Sequence, residues 1–210
     1  MKPFLKPNGV MLPITRANVD TDQIIPARYL QKPRSIDFGQ LLFRDLRFHK
    51  DGTEVADFML NQPARRTAQV VVALHNFGCG SSREHAVWAL FDYGFRVVIA
   101  PSFGDIFFAN ALKNGLLPVV LPADVVAKLL DATQALPGAR VVVDLVAQTV
   151  TTPDHAIHHF DIDPFPKRCL LDGLDEIDYT LTQAGHITAF ELRQAAVGTP
   201  PVDPQPVHIS

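Results

Sequence analysis

Ser81, Ser82 and Arg83 stand together directly after a turn containing Gly78 and Gly80, and an amphipathic stretch begins beyond them. Two hydroxyls and a guanidinium in one short run suit an anionic guest, because the planar fork of arginine binds a carboxylate through two parallel hydrogen bonds, which lysine cannot do. The elements that must position them follow from pattern. The β-branched run 69–74 reads as a strand, the glycines as a turn, and the next stretch as a helix turning Ala86, Trp88, Ala89 and Leu90 toward a core. Ser81 followed three residues later by Glu84 fits a capping box. A helix start offers unsatisfied N–H groups and roughly half a positive charge, so a carboxylate or phosphate prefers to sit there. A well-capped helix with a solvated Arg83 would leave the same local string.

The wider string is more specific. GCGSSREHA at 78–86 resembles the signature of the aconitase superfamily's swivelling domain, and NFGCGSSREHAVWAL resembles the small-subunit family of bacterial 3-isopropylmalate dehydratases. The likeness continues in ANVDTDQIIPARYLQK at 17–32, DYGFRVVIAPSFGDIFFANALKNGLLPV at 92–119 and RCLLDGLDEIDYTL at 168–181. It implies an α/β chain with the β/β/α swivelling fold of the aconitase C-terminal domain, a mixed sheet flanked by helices. It implies a hydro-lyase subunit that isomerises 2-isopropylmalate to 3-isopropylmalate in leucine biosynthesis, inactive without a large subunit. It also implies a catalytic base at Ser81, substrate contacts from Ser82 and Arg83, and a supporting role for Asp22. The stretch starting at Tyr29 and Leu30 matches the family's substrate-recognition loop, and Arg28, Lys32 and Arg34 compete for a substrate-binding arginine, with Arg34 taken forward. Related substrates of homoaconitase, citraconate hydratase or dimethylmalate hydratase type share the same hydroxy-diacid frame.

Composition limits the alternatives. The chain has 210 residues, 47 % apolar and 20 % charged, with a formal charge of −3 that offers no basic face for nucleic acid. Its apolar runs are too short to span a membrane, and the amino terminus lacks a signal-peptide pattern, so a cytoplasmic location is expected. The two cysteines, Cys79 and Cys169, form no disulfide framework. A cubane iron–sulfur cluster needs at least three protein thiolates, so the 4Fe–4S cluster that the resemblance implies must belong to the partner large subunit, and no metal site is expected on this chain. Cys79 beside a helix start, with His85 as base, gives a second reading as a thiol hydrolase. A third is a non-catalytic anion-binding module.

Along the chain, residues 9–12 read as a strand, and Asp20 and Asp22 flank a turn that they could simply cap. Residues 32–66 look like a mobile, irregular insertion near the substrate entrance, with Arg65 and Arg66 as a solvated pair. Strands at 95–100 and 117–121 alternate with helices at 102–113 and 123–136, which argues for a parallel sheet. Residues 140–146, 148–152 and 156–162 read as antiparallel strands carrying His155, His158 and His159, whose spacing does not suit a metal. Residues 164–196 look helical, broken at Gly173 and Gly185. A single domain over 1–197 is expected, with a flexible proline-rich tail at 198–210.

Overall fold

Four central strands carry near-continuous apolar runs, so they are stable only where both faces are covered. The computed structural model describes residues 3–197 and covers them that way. The parallel strands are β1 (Asn8–Ile14), β2 (Val70–Ala73), β3 (Val97–Ala100) and β4 (Leu117–Val120), with β5 (Arg140–Asp144), β6 (Thr149–Thr151) and β7 (Ile157–His159) added antiparallel. The sheet has seven strands in the order β4-β3-β2-β1-β5-β6-β7. Opposing Leu12 to Val71 and Ile14 to Ala73 sends one set of side chains to one face, while Met11, opposite Val70, belongs to the other.

The first face is covered by α3 (Glu84–Tyr93), α4 (Asp105–Lys113) and the long crossover between β1 and β2, which contains the short helices α1 (Thr21–Ile24) and α2 (Arg44–Arg47). The second face packs on α5 (Ala123–Ala135) and α6 (Pro164–Asp172). The expected mixed α/β swivelling architecture is therefore present. Strand and helix ends differ by a few residues: β1 runs on to Ile14, and α4 begins at Asp105 because Phe103 is held in a bridge to Phe77.

The 32–66 insertion is irregular in backbone yet contributes to the core. Phe38, Leu42, Phe43 and Leu60 are all buried. Its buried Arg47 donates from Nε to Asn61 Oδ1 at 3.2 Å and from Nη1 to the Leu42 carbonyl at 3.3 Å, so the cation is satisfied by backbone and amide oxygens. The solvated pair expected at Arg65 and Arg66 is corrected here. Arg66 pairs with Glu54 at the surface, but Arg65 is only 3 % exposed and donates from Nη2 to the Thr133 carbonyl at 2.8 Å. Thr133 lies in the last turn of α5, whose carbonyls lack intrahelical partners, and a cation there also suits the helix dipole.

Contacts divide the chain into a unit ending at Asp175 and a second beginning at Glu176. α6 ends at Gly173 in the left-handed region, as the sequence indicates. The second unit contains α7 (Glu176–Thr182) and α8 (Ala184–Val197), and Gly185 lies inside α8 instead of breaking it. The proline-rich segment 198–210 lies outside the described residues.

Candidate active site

The loops leaving the carboxyl ends of β1, β2 and β3 are tied to one another, which brings distant parts of the sequence to one edge of the sheet. The Gly78 N–H donates to the Val19 carbonyl at 2.7 Å, the Thr21 N–H to the Cys79 carbonyl at 3.0 Å, and the Phe77 N–H to the Ser102 carbonyl at 3.1 Å. Carboxyl ends of parallel strands are where open α/β sheets place their ligands. Gly78 is required twice over: its φ is +73°, and a Cβ there would stand 2.2 Å from Phe107 Cγ. That lack of a side chain lets α4 approach the turn.

The capping box expected between Ser81 and Glu84 does not form. α3 starts at Glu84 with Arg83 at its cap position and no side-chain cap. An N-cap carbonyl must accept the first helical hydrogen bond. The Ser81 carbonyl instead accepts the Thr21 hydroxyl at 2.9 Å, and Glu84 Oε1 accepts Asn114 Nδ2 at 2.7 Å. Ser81 and Ser82 consequently sit on an exposed loop just before the helix. Among the described residues, no hydrogen bond engages the backbone N–H groups of Ser82 to His85, so this edge presents donors and the positive end of α3 together.

Arg83 faces Asp22. The two form an ion pair between Arg83 Nη1 and Asp22 Oδ1, with the guanidinium largely covered and the carboxylate half exposed. Nη1 is buried and, among the described residues, makes no other hydrogen bond, so Asp22 is its acidic partner. Asp22 Oδ1 also accepts the Ala27 N–H at 3.2 Å. Contact with Arg83 is the main reason that the Asp22 carboxyl is held below the usual carboxylate range, against a smaller upward push from burial. Asp20, not Asp22, caps α1, accepting the Gln23 N–H at 2.8 Å.

The remaining expected site residues lie elsewhere in this chain. Arg34 forms a two-pronged pair with Asp92, at 2.7 and 2.9 Å, and its guanidinium lies 5.1 Å from the Trp88 ring centroid. Asp92 is the last residue but one of α3, about two turns along the helix from its first residue, Glu84. Arg28 pairs with Asp45 and lies over Tyr29, with 4.6 Å from guanidinium carbon to ring centroid. Tyr29 and Leu30 are half-buried on a short 3-10 turn. Lys32 is exposed. His85 packs its ring 4.5 Å from Trp88 and 5.5 Å from Phe38, and among the described residues no hydrogen bond joins it to Cys79. Sequence reasoning missed Thr21, whose hydroxyl fixes the serine loop. Its place between two aspartates was the only signal.

Among the described residues, no group of three or more histidine, cysteine or acidic side chains is gathered closely enough to hold a metal ion. Cys169 is buried on α6 while Cys79 lies on the β2–α3 loop, a donor set that does not fit an iron–sulfur cluster.

Comparison with known proteins bears on this arrangement. Residues 1–124 match the Aconitase C-terminal domain family and residues 127–164 match LeuD_N. The chain is similar to the 3-isopropylmalate dehydratase small subunit of Paramagnetospirillum magneticum, 51 % identical over 91 % of this chain and 95 % of that protein. It is 49 % identical to the subunit of the same name from Cereibacter sphaeroides over 91 % of this chain and 95 % of that protein. The corresponding figures for the Paracoccus denitrificans subunit are 47 %, 93 % and 97 %. A solved structure of 3-isopropylmalate dehydratase from Methanocaldococcus jannaschii superimposes with a TM-score of 0.59 at 26 % identity, covering 88 % of this chain and 98 % of that one.

Proposed function

The chain belongs to the 3-isopropylmalate dehydratase small-subunit family, within the Aconitase C-terminal domain family, and from that premise we propose how its residues serve the reaction. It is a subunit of a hydro-lyase of leucine biosynthesis, which interconverts 2-isopropylmalate and 3-isopropylmalate by removing water and adding it back. The observation that carries the site assignment is the meeting of Arg83, Asp22 and the exposed Ser81 loop at the carboxyl edge of the parallel strands.

Ser81 is the base that takes the proton from the carbon next to a substrate carboxylate. A free serine hydroxyl is far too weak an acid for this, so its oxyanion needs nearby donors and positive potential. The unpaired N–H groups at the start of α3 and the Arg83 guanidinium are suited to supply both. Ser82 and Arg83 hold the substrate carboxylate, which takes over the guanidinium face that Asp22 now neutralises. Asp22 keeps the fork aimed into the cleft before substrate arrives. Tyr29 and Leu30 contact the substrate's alkyl end, and Arg34 reaches it only after release from Asp92.

The 4Fe–4S cluster belongs to the partner large subunit, and when bound there it supplies the Lewis acid that helps hydroxide leave. The cysteines here do not fit it, so the assembled pair is the active unit, located in the cytoplasm. It involves no nucleic acid. Among the described residues, no helix is long and apolar enough to cross a membrane. The decisive experiment mixes this chain with an iron–sulfur large subunit of the family. Hydro-lyase activity toward isopropylmalate should appear only on mixing and vanish in Ser81→Ala; full activity of this chain alone would overturn the assignment.

A further inference from the structure

A cleft at the carboxyl end of β1 carries two opposite charges that the fold leaves unused. Its apolar walls include Ile14 and Val19 from β1 and its loop, and Phe43 and Phe58 from the insertion; Arg16 and Asp57 also line it. Ile14, Val19 and Phe43 are buried, and the Phe43 and Phe58 rings stand 5.8 Å apart, so the walls are packed side chains. The cleft measures about 180 Å³. That is room for a compact ligand with an apolar body.

Exposed arginines of the β1–β2 crossover find carboxylates: Arg28 pairs with Asp45, Arg34 with Asp92 and Arg66 with Glu54. Arg16 and Asp57 are exposed and share one cleft, yet among the described residues neither forms an ion pair or hydrogen bond with the other or with any third group. A guest satisfying both must bring a negative and a positive group. The wall between them asks for a short branched hydrocarbon. We propose that this cleft binds an aliphatic α-amino acid as its zwitterion, with the carboxylate on Arg16, the ammonium on Asp57 and the side chain against Ile14, Val19, Phe43 and Phe58.

The site is distinct from the one assigned to the hydroxy-diacid. Ser81, Arg83 and Asp22 do not line the cleft, and a diacid would set a second carboxylate against Asp57. It is nevertheless mechanically joined to that site. Val19, one of its walls, accepts the Gly78 N–H at 2.7 Å, and Gln23, another lining residue, is held by Asp20 next to the Asp22 that faces Arg83. An occupant would therefore be felt at the glycine turn.

The test uses the full chain, labelled with nitrogen-15 and titrated with L-leucine, with 4-methylpentanoate lacking the ammonium and with 3-methylbutylamine lacking the carboxylate. Leucine should give saturable shifts that include the Gly78 amide, with a Kd of about 1 mM. Each truncated probe should bind at least about tenfold more weakly, as should leucine to Arg16→Gln and to Asp57→Asn, because one charge-assisted contact is lost in each case. Both variants change exposed side chains, and superimposable spectra without ligand establish that they fold. Arg83→Lys should leave leucine binding unchanged. The proposal is overturned if leucine gives no saturable shifts, if binding survives both charge removals, or if it depends on Arg83. None of these outcomes bears on whether Ser81 acts in the dehydratase.

Discussion

Asp22, from the crossover after β1, and Arg83, at the threshold of α3, meet as an ion pair in which the cation is the covered partner: its side chain is 13 % exposed against 52 % for the carboxylate. An arginine held this way has its direction fixed in advance, as the proposed grip on a carboxylate needs, and the group that fixes it is the more open to solvent.

Replacing Asp22 with Asn should release the fork and raise KM about tenfold in the reconstituted enzyme, with a smaller change in kcat. The pH dependence has a definite sign. Asp22 has a lowered pKa in the fold, so its contribution to stability is complete above about pH 4 and disappears as pH falls through the lowered value. Urea unfolding at stepped pH should show wild type losing that advantage over Asp22→Asn as the pH is lowered below about 4. The carboxylate is half exposed, so the difference should not exceed ~0.5 kcal/mol.

Ser81→Ala should lower kcat by about three orders of magnitude or more while the subunits still assemble. Size-exclusion chromatography of the mixed subunits and steady-state rates test this together; near-normal turnover would remove Ser81 from the mechanism.

Arg83→Lys retains the charge but loses the planar fork. The expected result is a KM increase of about 10- to 100-fold, corresponding to ~1.5–3 kcal/mol of charge-assisted bonding. Unchanged kinetics would mean that another group grips the carboxylate.

Thr21→Val conserves side-chain shape and removes the hydroxyl that holds the Ser81 carbonyl at 2.9 Å. Global stability should fall by only about 1 kcal/mol, whereas kcat/KM should drop at least about tenfold because the serine loop loses its register. Thermal melts and rates measured on the same preparation separate these effects.

Gly78→Ala and Gly80→Ala both place a Cβ on a left-handed backbone, at φ +73° and +90°, but only the first meets packed side-chain atoms, 2.2 Å from Phe107 Cγ. Gly78→Ala should cost about 3 kcal/mol or more and Gly80→Ala about 1 kcal/mol, measured by denaturant unfolding.

The parallel strands, their helices and the glycine turn were legible because continuous apolar runs, helical periodicity and glycine punctuation are local signals. The start of α3 was misread because the pattern of Ser81 and Glu84 is local, whereas what decides it is remote: Thr21 takes the serine carbonyl and Asn114 takes the glutamate. Arg65 was misread for the same reason, since nothing near it in sequence announces the end of α5. Ser81, Ser82, Arg83 and Asp22 were singled out through a family resemblance, and the fold brings them to one edge, which is the geometry that their proposed roles need. Arg34 was chosen from several cations by position alone, and its partner Asp92 on α3 lay outside any local window.

The path from β1 to β2 is one uninterrupted excursion over a single face of the sheet, and it carries Asp22, Tyr29, Leu30 and Arg34, while Ser81 and Arg83 arise after the chain has returned. Under the proposed roles, discrimination among diacids and the proton-transfer step would be written in separate stretches of polypeptide. Drift in the excursion would then retune which alkyl group is accepted, provided that Val19 and Thr21, its moorings, keep their grip on the far loop.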